Sequence, residues 1–471
     1  MAAGLRILHA IHDFLPRHRA GSEIYAFELA RTLAARHHVH VLCADYDPAR
    51  SHGHVTWRLH EGLPVVEVVN NWVCESFVET YRPPAIGTAL EHVLRAVQPD
   101  VLHIHNLLNL SFDLPAMARA SGAMVVATLH DYTLVCASGG QRIHQAEQHV
   151  CDVIDTARCA RCFRQSPFYP QMSVGRAVAP APGALGRLAV GVAQRYPQLA
   201  RRAAGAARHV TGLAVTAADI DRRLEAAKHV FAHVDLFVAP SASLAAELVA
   251  LGLDSSKVQV SDYGFAPLTP RPRPARSGPL RIGFVGTLVW HKGVHILVDA
   301  VRRLPPDSYA LTIFGDVNVF PDYAARLRQM ADGQPVTFAG GFDRRAVDDV
   351  YAQCDVLVVP SLWLENSPLV IHEAFMAGVP VVGARMGGIP GLVEHGVNGL
   401  LYDARSPDDL AGALRQLIDR PALLQELARR LPAVKSIGQD AAEWEAIYSA
   451  LLRRRHAPVT TGPSREAVAR S

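Results

Sequence analysis

Two series of short, apolar, β-rich runs, each run separated from the next by a helix-length segment, constrain this chain more than any other feature. The first series falls at residues 6–11, 38–44, 65–70, 101–107, 124–129, 235–240 and 257–261. Strands apolar on both faces and alternating with helices imply a parallel sheet whose crossovers are helical. The pattern stops at residues 266–279, APLTPRPRPARSGP, where five prolines fix φ and remove backbone donors, so an extended linker is expected. It restarts at 281–286, 310–315, 335–340, 355–361, 379–384 and 399–402.

The expected fold is therefore α/β, with two Rossmann-like, doubly wound parallel-sheet domains facing across a cleft. Residues 1–265 form the first domain, 266–279 the linker and 280–435 the second; a helix at 436–457 and a loose polar tail at 458–471 complete the chain. Its 471 residues suffice for two such cores. A composition of 49% hydrophobic and 19% charged residues is that of a globular protein, and a formal charge of +3 gives no argument for a nucleic-acid partner. No long apolar stretch precedes Asp13, so no secretory signal is read and the cytoplasm is the expected location. The longest apolar candidate for a membrane span, 177–193, is broken by Pro180, Pro182 and Arg187. Residues 171–230 read as a basic helical segment, with nine Arg/Lys against three Asp/Glu between 171 and 228. A solvated helical face is the plainer reading; a peripheral contact with anionic lipid at the inner face of a membrane, or with an anionic acceptor, is the alternative.

Chemistry concentrates at 360–380, PSLWLENSPLVIHEAFMAGVP, where Glu365 and Glu373 have seven residues between them. Ser367 suits an N-cap and Pro368 the first helical position, so a helix is expected to start there, with Glu365 in the preceding loop and Glu373 about a turn into the helix. Open α/β sheets bind ligands at this carboxyl edge, and a helix N-terminus favours an anion. The loop GTLVWHKG, 286–293, leaves the first strand of the same domain; Gly286 permits close backbone approach and Lys292 can reach a phosphate. A third loop, GGIPG at 387–391, is expected to converge on the same cleft.

With these motifs the chain resembles the family-4 retaining glycosyltransferases of the GT-B fold. The resemblance runs from the glycine-containing loop at 14–25 to the strand at 397–402, and is densest over 281–403. It implies that Glu373 holds the donor ribose, Lys292 the diphosphate and Glu365 the sugar, with Asn366, Ser367, Pro368 and Leu369 lining the sugar-phosphate side. Gly21, Gly286 and Thr287 complete the donor site; Thr287 stands where the family commonly has Arg, so His291 or Arg385 is considered for the missing phosphate contact. His130, at the end of the 124–129 strand beside Asp131, is implied as a donor-sugar contact. His103 and His105 are read as facing opposite ways, with His105 on the acceptor side.

The function implied is transfer of a hexose from a UDP- or GDP-linked sugar to a glycan, lipid or small-molecule acceptor with retention of configuration, no cofactor being required for transfer. A silent nucleotide-sugar or glycan binder and a GT-B phosphorylase or epimerase are the alternatives. No lysine-anchored pyridoxal-phosphate signature favours the phosphorylase. Four of the seven cysteines, Cys136, Cys151, Cys159 and Cys162, fall in a polar segment, 136–165, and are expected to bind one structural zinc ion. His144 and His149 are substitute ligands, and simple packing or a disulfide are the other readings.

Overall fold

The computed structural model describes residues 4–172, 214–268, 278–343 and 346–456. Most of the linker, most of the basic segment and all of the tail lie outside the described residues.

The N-terminal strands are β1 (Arg6–Ile11), β2 (His38–Asp45), β3 (Val55–His60), β4 (Leu63–Val69), β5 (Val101–Ile104), β6 (Met124–Thr128), β9 (Leu236–Ala239) and β10 (Val258–Val260). They form one sheet in the order β10-β9-β6-β5-β1-β2-β4-β3, parallel apart from the antiparallel β3–β4 pair. β3 escapes the sequence reading because it is a half-solvated edge strand: Trp57 and Leu59 are exposed, and Arg58 is spent on Glu67 at 2.6 Å. A two-residue ladder, β7 (Ile143–His144) with β8 (His149–Val150), lies apart from the sheet.

The second sheet is wholly parallel, in the order β13-β12-β11-β14-β15-β16. Its strands are β11 (Leu280–Val285), β12 (Tyr309–Phe314), β13 (Val336–Gly340), β14 (Val356–Val359), β15 (Val381–Ala384) and β16 (Gly399–Tyr402). Thirteen runs read from the sequence thus coincide with strands to within a few residues, because strands covered by helices on both faces must be almost continuously apolar.

In the first sheet β1 lies between β2 and β5, and in the second β11 lies between β12 and β14. At each place the strand order reverses, and loops leaving the carboxyl ends splay apart to open a crevice. The 286–293 and 360–368 loops leave β11 and β14, the two strands flanking that point in the second domain.

The domains are joined twice. Phe265 N–H donates to Lys435 O at 2.9 Å and Ile437 N–H to Phe265 O at 2.8 Å, so the outgoing and returning chains pair side by side. The final helix, Ile437–His456, then packs on the N-terminal domain. Its buried Trp444 donates to Tyr25 Oη at 3.2 Å, Tyr25 donates to Asp440 Oδ2 at 2.7 Å, and Tyr448 Oη lies 2.6 Å from His103 Nδ1.

Candidate functional site

The 286–293 loop is held in shape by Gly293, whose φ is 70° and whose missing Cβ makes room for the Pro360 carbonyl oxygen. That approach locks the loop leaving β11 against the loop leaving β14. Lys292 Nζ consequently reaches Glu365 Oε1 at 2.7 Å, and Ser361 Oγ donates to the same oxygen at 2.6 Å. Glu365 is buried while Lys292 is partly exposed, lying 5.2 Å from the Trp363 ring centroid. A buried carboxylate is tolerable with these two donors, and the ammonium keeps one side open to solvent.

The helix carrying Glu373 starts later than the sequence suggests. It spans Leu369–Met376 with Pro368 at its N-cap. Ser367 is no N-cap: its hydroxyl donates to Asp262 Oδ1 at 2.7 Å and lies 2.8 Å from His372 Nε2, so it ties the loop to the interdomain crossing instead. Glu373 is the fifth residue of the helix, about a turn in, buried, and accepts from the Tyr351 hydroxyl at 3.0 Å.

Residues from both sheets meet in one cleft of about 780 Å³. Lys292, Glu365, Glu373, Gly286, Thr287, Asn366, Ser367, Pro368 and Leu369 line it from the C-terminal side; Gly21 and His130 line it from the N-terminal side. Gly21 matters sterically, since a Cβ there would come within 2.8 Å of Leu369 Cδ1. Asn366 Nδ2 donates to His130 O, joining the walls directly.

Several expectations need correction. The 387–391 loop does not line the cleft: Gly388 N–H donates to Glu365 O at 2.6 Å, and Gly387 and Gly388 pack against the Glu365 and Asn366 backbone, so this loop supports the 360–368 loop from behind. Neither His291 nor Arg385 lines the cleft. His291 is buried, which lowers its pKa to about 4 and keeps it neutral, while among the described residues the Arg385 side chain pairs only with Asp403, at 4.0 Å. Among the described residues, the Arg or Lys that lines the cleft besides Lys292 is Arg19, two residues before Gly21. Position relative to that glycine is the signal that could have found it.

His103 and His105 share a face, as two-residue periodicity requires, and their rings stack with centroids 4.5 Å apart. His105 bridges His9, at 2.9 Å, and His130, at 3.0 Å, giving a buried imidazole chain that ends at the cleft. Among the described residues, His9, His103 and His105 bring ligand-capable atoms within 4.8 Å of one another. Their nitrogens largely serve each other, Thr128 and Tyr448, and burial pushes the pKa of each well down, to about 3 for His9 and for His130. His130 is thus a neutral ring, stacked on Tyr263 at 5.2 Å.

The N-terminal wall also brings two carboxyl groups: Asp131, read from the sequence beside His130, and Glu23, which the motif reading did not single out. Glu23 pairs with His12 at 3.2 Å, and Asp131 accepts from Asn106 Nδ2 at 2.8 Å and Thr133 N–H at 2.7 Å, with burial raising its pKa. Both line the cleft.

The four cysteines lie away from the cleft lining, all partly buried and free. No three of their sulfurs are within 4.8 Å of one another. No helix among the described residues is long and apolar enough to cross a membrane.

Residues 268–432 match the family described as "Glycosyl transferases group 1", and residues 19–166 the family described as "Glycosyltransferase Family 4". The amylovoran biosynthesis glycosyltransferase AmsK of Erwinia amylovora is 30% identical over 219 residues, 42% of this chain and 53% of that protein. A D-inositol 3-phosphate glycosyltransferase of Pseudarthrobacter chlorophenolicus is 29% identical over 239 residues, 47% and 56% of the two chains. The chain thus spans about half the length of these curated relatives. Among solved structures, Anabaena HepE in complex with UDP and glucose aligns at TM-score 0.58 and 17% identity, covering 96% of this chain and 100% of that one. Sucrose-phosphate synthase from Thermosynechococcus elongatus aligns at 0.61 and 17%, covering 95% and 98%. With both family matches in order along the sequence and a two-sheet fold shared along nearly its whole length, the chain carries a Glycosyltransferase Family 4 domain followed by a Glycosyl transferases group 1 domain in the GT-B fold.

Proposed function

We propose that this protein transfers a hexose from a UDP- or GDP-linked sugar to a glycan, lipid or small-molecule acceptor, with retention of anomeric configuration. The observation that carries the reading is the Lys292–Glu365 pair, set at the point where strand order reverses and facing Gly21 and His130 across one cleft. Bond cleavage builds negative charge on the leaving diphosphate and oxocarbenium character on the sugar. Lys292 and the start of the Leu369–Met376 helix meet the first demand, with Arg19 as a second cation. Glu373 takes the ribose hydroxyls, and Glu365, held by Lys292 and Ser361, takes the sugar hydroxyls. The neutral His130 ring offers a hydrogen bond to the sugar without placing a cation beside the developing positive charge.

Retention fits departure and attack on one face of the sugar, with the leaving phosphate positioned to accept the acceptor's proton. The solved HepE complex with UDP and glucose has the same fold, which supports a nucleotide-sugar donor here. The test is incubation of the protein with separate nucleotide sugars, scoring release of nucleoside diphosphate and, by NMR, the anomer formed with an accepted sugar. Turnover of one donor with a retained anomer is expected. Tight donor binding without turnover under any acceptor would establish the silent binder instead, and an inverted product would remove the retaining mechanism.

A further inference from the structure

Arg223 is a buried cation without a carboxylate. Only 5% of its surface is exposed, and its guanidinium donates to two backbone carbonyls, Thr133 O at 2.6 Å and Leu134 O at 2.9 Å, while lying over the Phe112 ring at 4.9 Å. No ion pair reaches it among the described residues. The acidic side chains within its electrostatic reach are Cys136, Cys159 and Tyr81. A buried charge is costly unless an opposite charge compensates it, and neutral thiols do not.

The same thiols belong to a convergent set. Cys159 and Cys162, three residues apart on the helix Thr156–Gln165, share a face. Cys162 Sγ lies 3.6 Å from Ile143 O, in the ladder whose strand β8 leads into Cys151, and Cys151 N–H donates to Arg142 O at 2.8 Å. Cys136 closes a turn, its N–H donating to Tyr132 O at 2.8 Å. Both Cys136 and Cys151 lie within electrostatic reach of Cys159 and of Cys162, and Arg142 and Arg158 lie within reach of Cys151. Three separate pieces of backbone therefore bring four thiols within electrostatic reach of one another, with two guanidinium groups near Cys151.

We propose that Cys136, Cys151, Cys159 and Cys162 bind one structural zinc ion, and that Arg223 is the buried counter-charge of the resulting tetrathiolate. Four thiols release four protons as the ion binds, and four thiolates around a divalent ion leave a net double negative charge. That charge supplies what Arg223 lacks. Two disulfides would leave the site neutral and the guanidinium uncompensated, which is why the metal is the better reading. Since no three sulfurs lie within 4.8 Å here, binding draws the β7–β8 ladder and the helix together. The segment follows His130 directly along the chain, and its Gly139 and Gln141 line the cleft, so the ion sets the shape of that wall.

The full chain, purified without a histidine tag, is assayed for zinc by elemental analysis. About one zinc per chain is expected, lost in a Cys159→Ser/Cys162→Ser variant. Arg223→Met, which leaves every sulfur in place, is expected to weaken zinc retention against a competing chelator by about 10–100-fold. Cobalt exchanged into the unaltered protein is expected to give the visible bands and sulfur-to-metal charge transfer of a tetrahedral thiolate site, a readout that stands even if the cysteine variant fails to fold. Metal-free protein with four reactive thiols and thermal stability indifferent to zinc and chelator would overturn the proposal. So would an intact mass showing hydrogens lost to disulfides.

Discussion

The ammonium of Lys292 and the Oε1 of Glu365, 2.7 Å apart and 73 residues apart in sequence, are the two ends of a contact between the loops leaving β11 and β14. Glu365 is the buried member and Lys292 the accessible one, so the pair is poised for the lysine to turn toward an incoming anion while Ser361 keeps the carboxylate satisfied.

Lys292→Ala is expected to lower kcat by about 10²–10³, with a smaller effect on donor affinity, since the leaving diphosphate gains charge only as the bond breaks. Steady-state kinetics alongside calorimetric titration of the donor separate the two. Equal losses in both would make Lys292 a ground-state binding group.

Glu373→Ala is expected to weaken nucleoside-diphosphate binding by about 1.5–3 kcal/mol, the range of a hydrogen bond to a charged group. Titration calorimetry reads this directly, and unchanged affinity would take Glu373 out of the ribose contact. Glu373→Gln, which keeps an acceptor oxygen, should recover part of the loss.

Gly293→Ala tests whether the loop contact positions Lys292. A Cβ at this position meets the Pro360 carbonyl oxygen and the residue sits at φ 70°, so a loss of about 1–3 kcal/mol in stability is expected together with reduced turnover. Denaturant unfolding and donor turnover measured on one preparation check it. A variant with wild-type stability and kcat would show that the two loops do not depend on this approach.

These residues also mark where sequence pattern stops being informative. Doubly wound strands announce themselves because both faces are buried, and Glu365, Glu373 and Lys292 are legible because each sits at a fixed offset from a strand end. Arg19 is not legible in that way: it sits at no fixed offset from a strand end, and its one sequence signal is its place two residues before Gly21. The backing role of Gly387 and Gly388 is equally invisible, because a glycine that admits a neighbouring backbone and one that admits a ligand are spelled alike. Ser367 was a plausible cap by residue type, but Asp262 and His372, distant in sequence or on the far turn, compete for its hydroxyl and win.

The imidazole chain His9–His105–His130 makes stability depend on pH. Burial holds the pKa of His9 and of His130 near 3 in the folded protein, and that of His105 well below the usual value, whereas the unfolded chain takes up protons near 6.5. The stability they contribute is therefore fully present above pH 6.5 and is lost as pH falls through the window between about 6.5 and 3. Each ring contributes at most about 1.4 kcal/mol per pH unit within that window. Urea unfolding at pH 7, 6 and 5 should show a progressive fall in midpoint, reduced in a His9→Gln variant. A flat profile across those pH values would show that the rings are charged or solvated in the folded state.

Removing the last helix should damage the N-terminal domain, although the helix follows the C-terminal one in sequence. Trp444 is nearly inaccessible, its centroid 4.1 Å from that of His103, and its indole N–H is spent on Tyr25 Oη, which in turn holds Asp440. Asp440 also accepts from Gly264 N–H at 3.2 Å and Lys435 Nζ at 2.8 Å, so one carboxylate ties both interdomain crossings to the first helix of the chain. Trp444→Ala creates a cavity between that helix and β5 and is expected to cost about 3–5 kcal/mol. Differential scanning calorimetry should show the transition of the N-terminal domain falling in temperature, with donor affinity, which we propose rests on Glu373, changed much less. Loss of nucleotide binding in step with the N-terminal transition would instead mean that the two domains unfold as one cooperative unit.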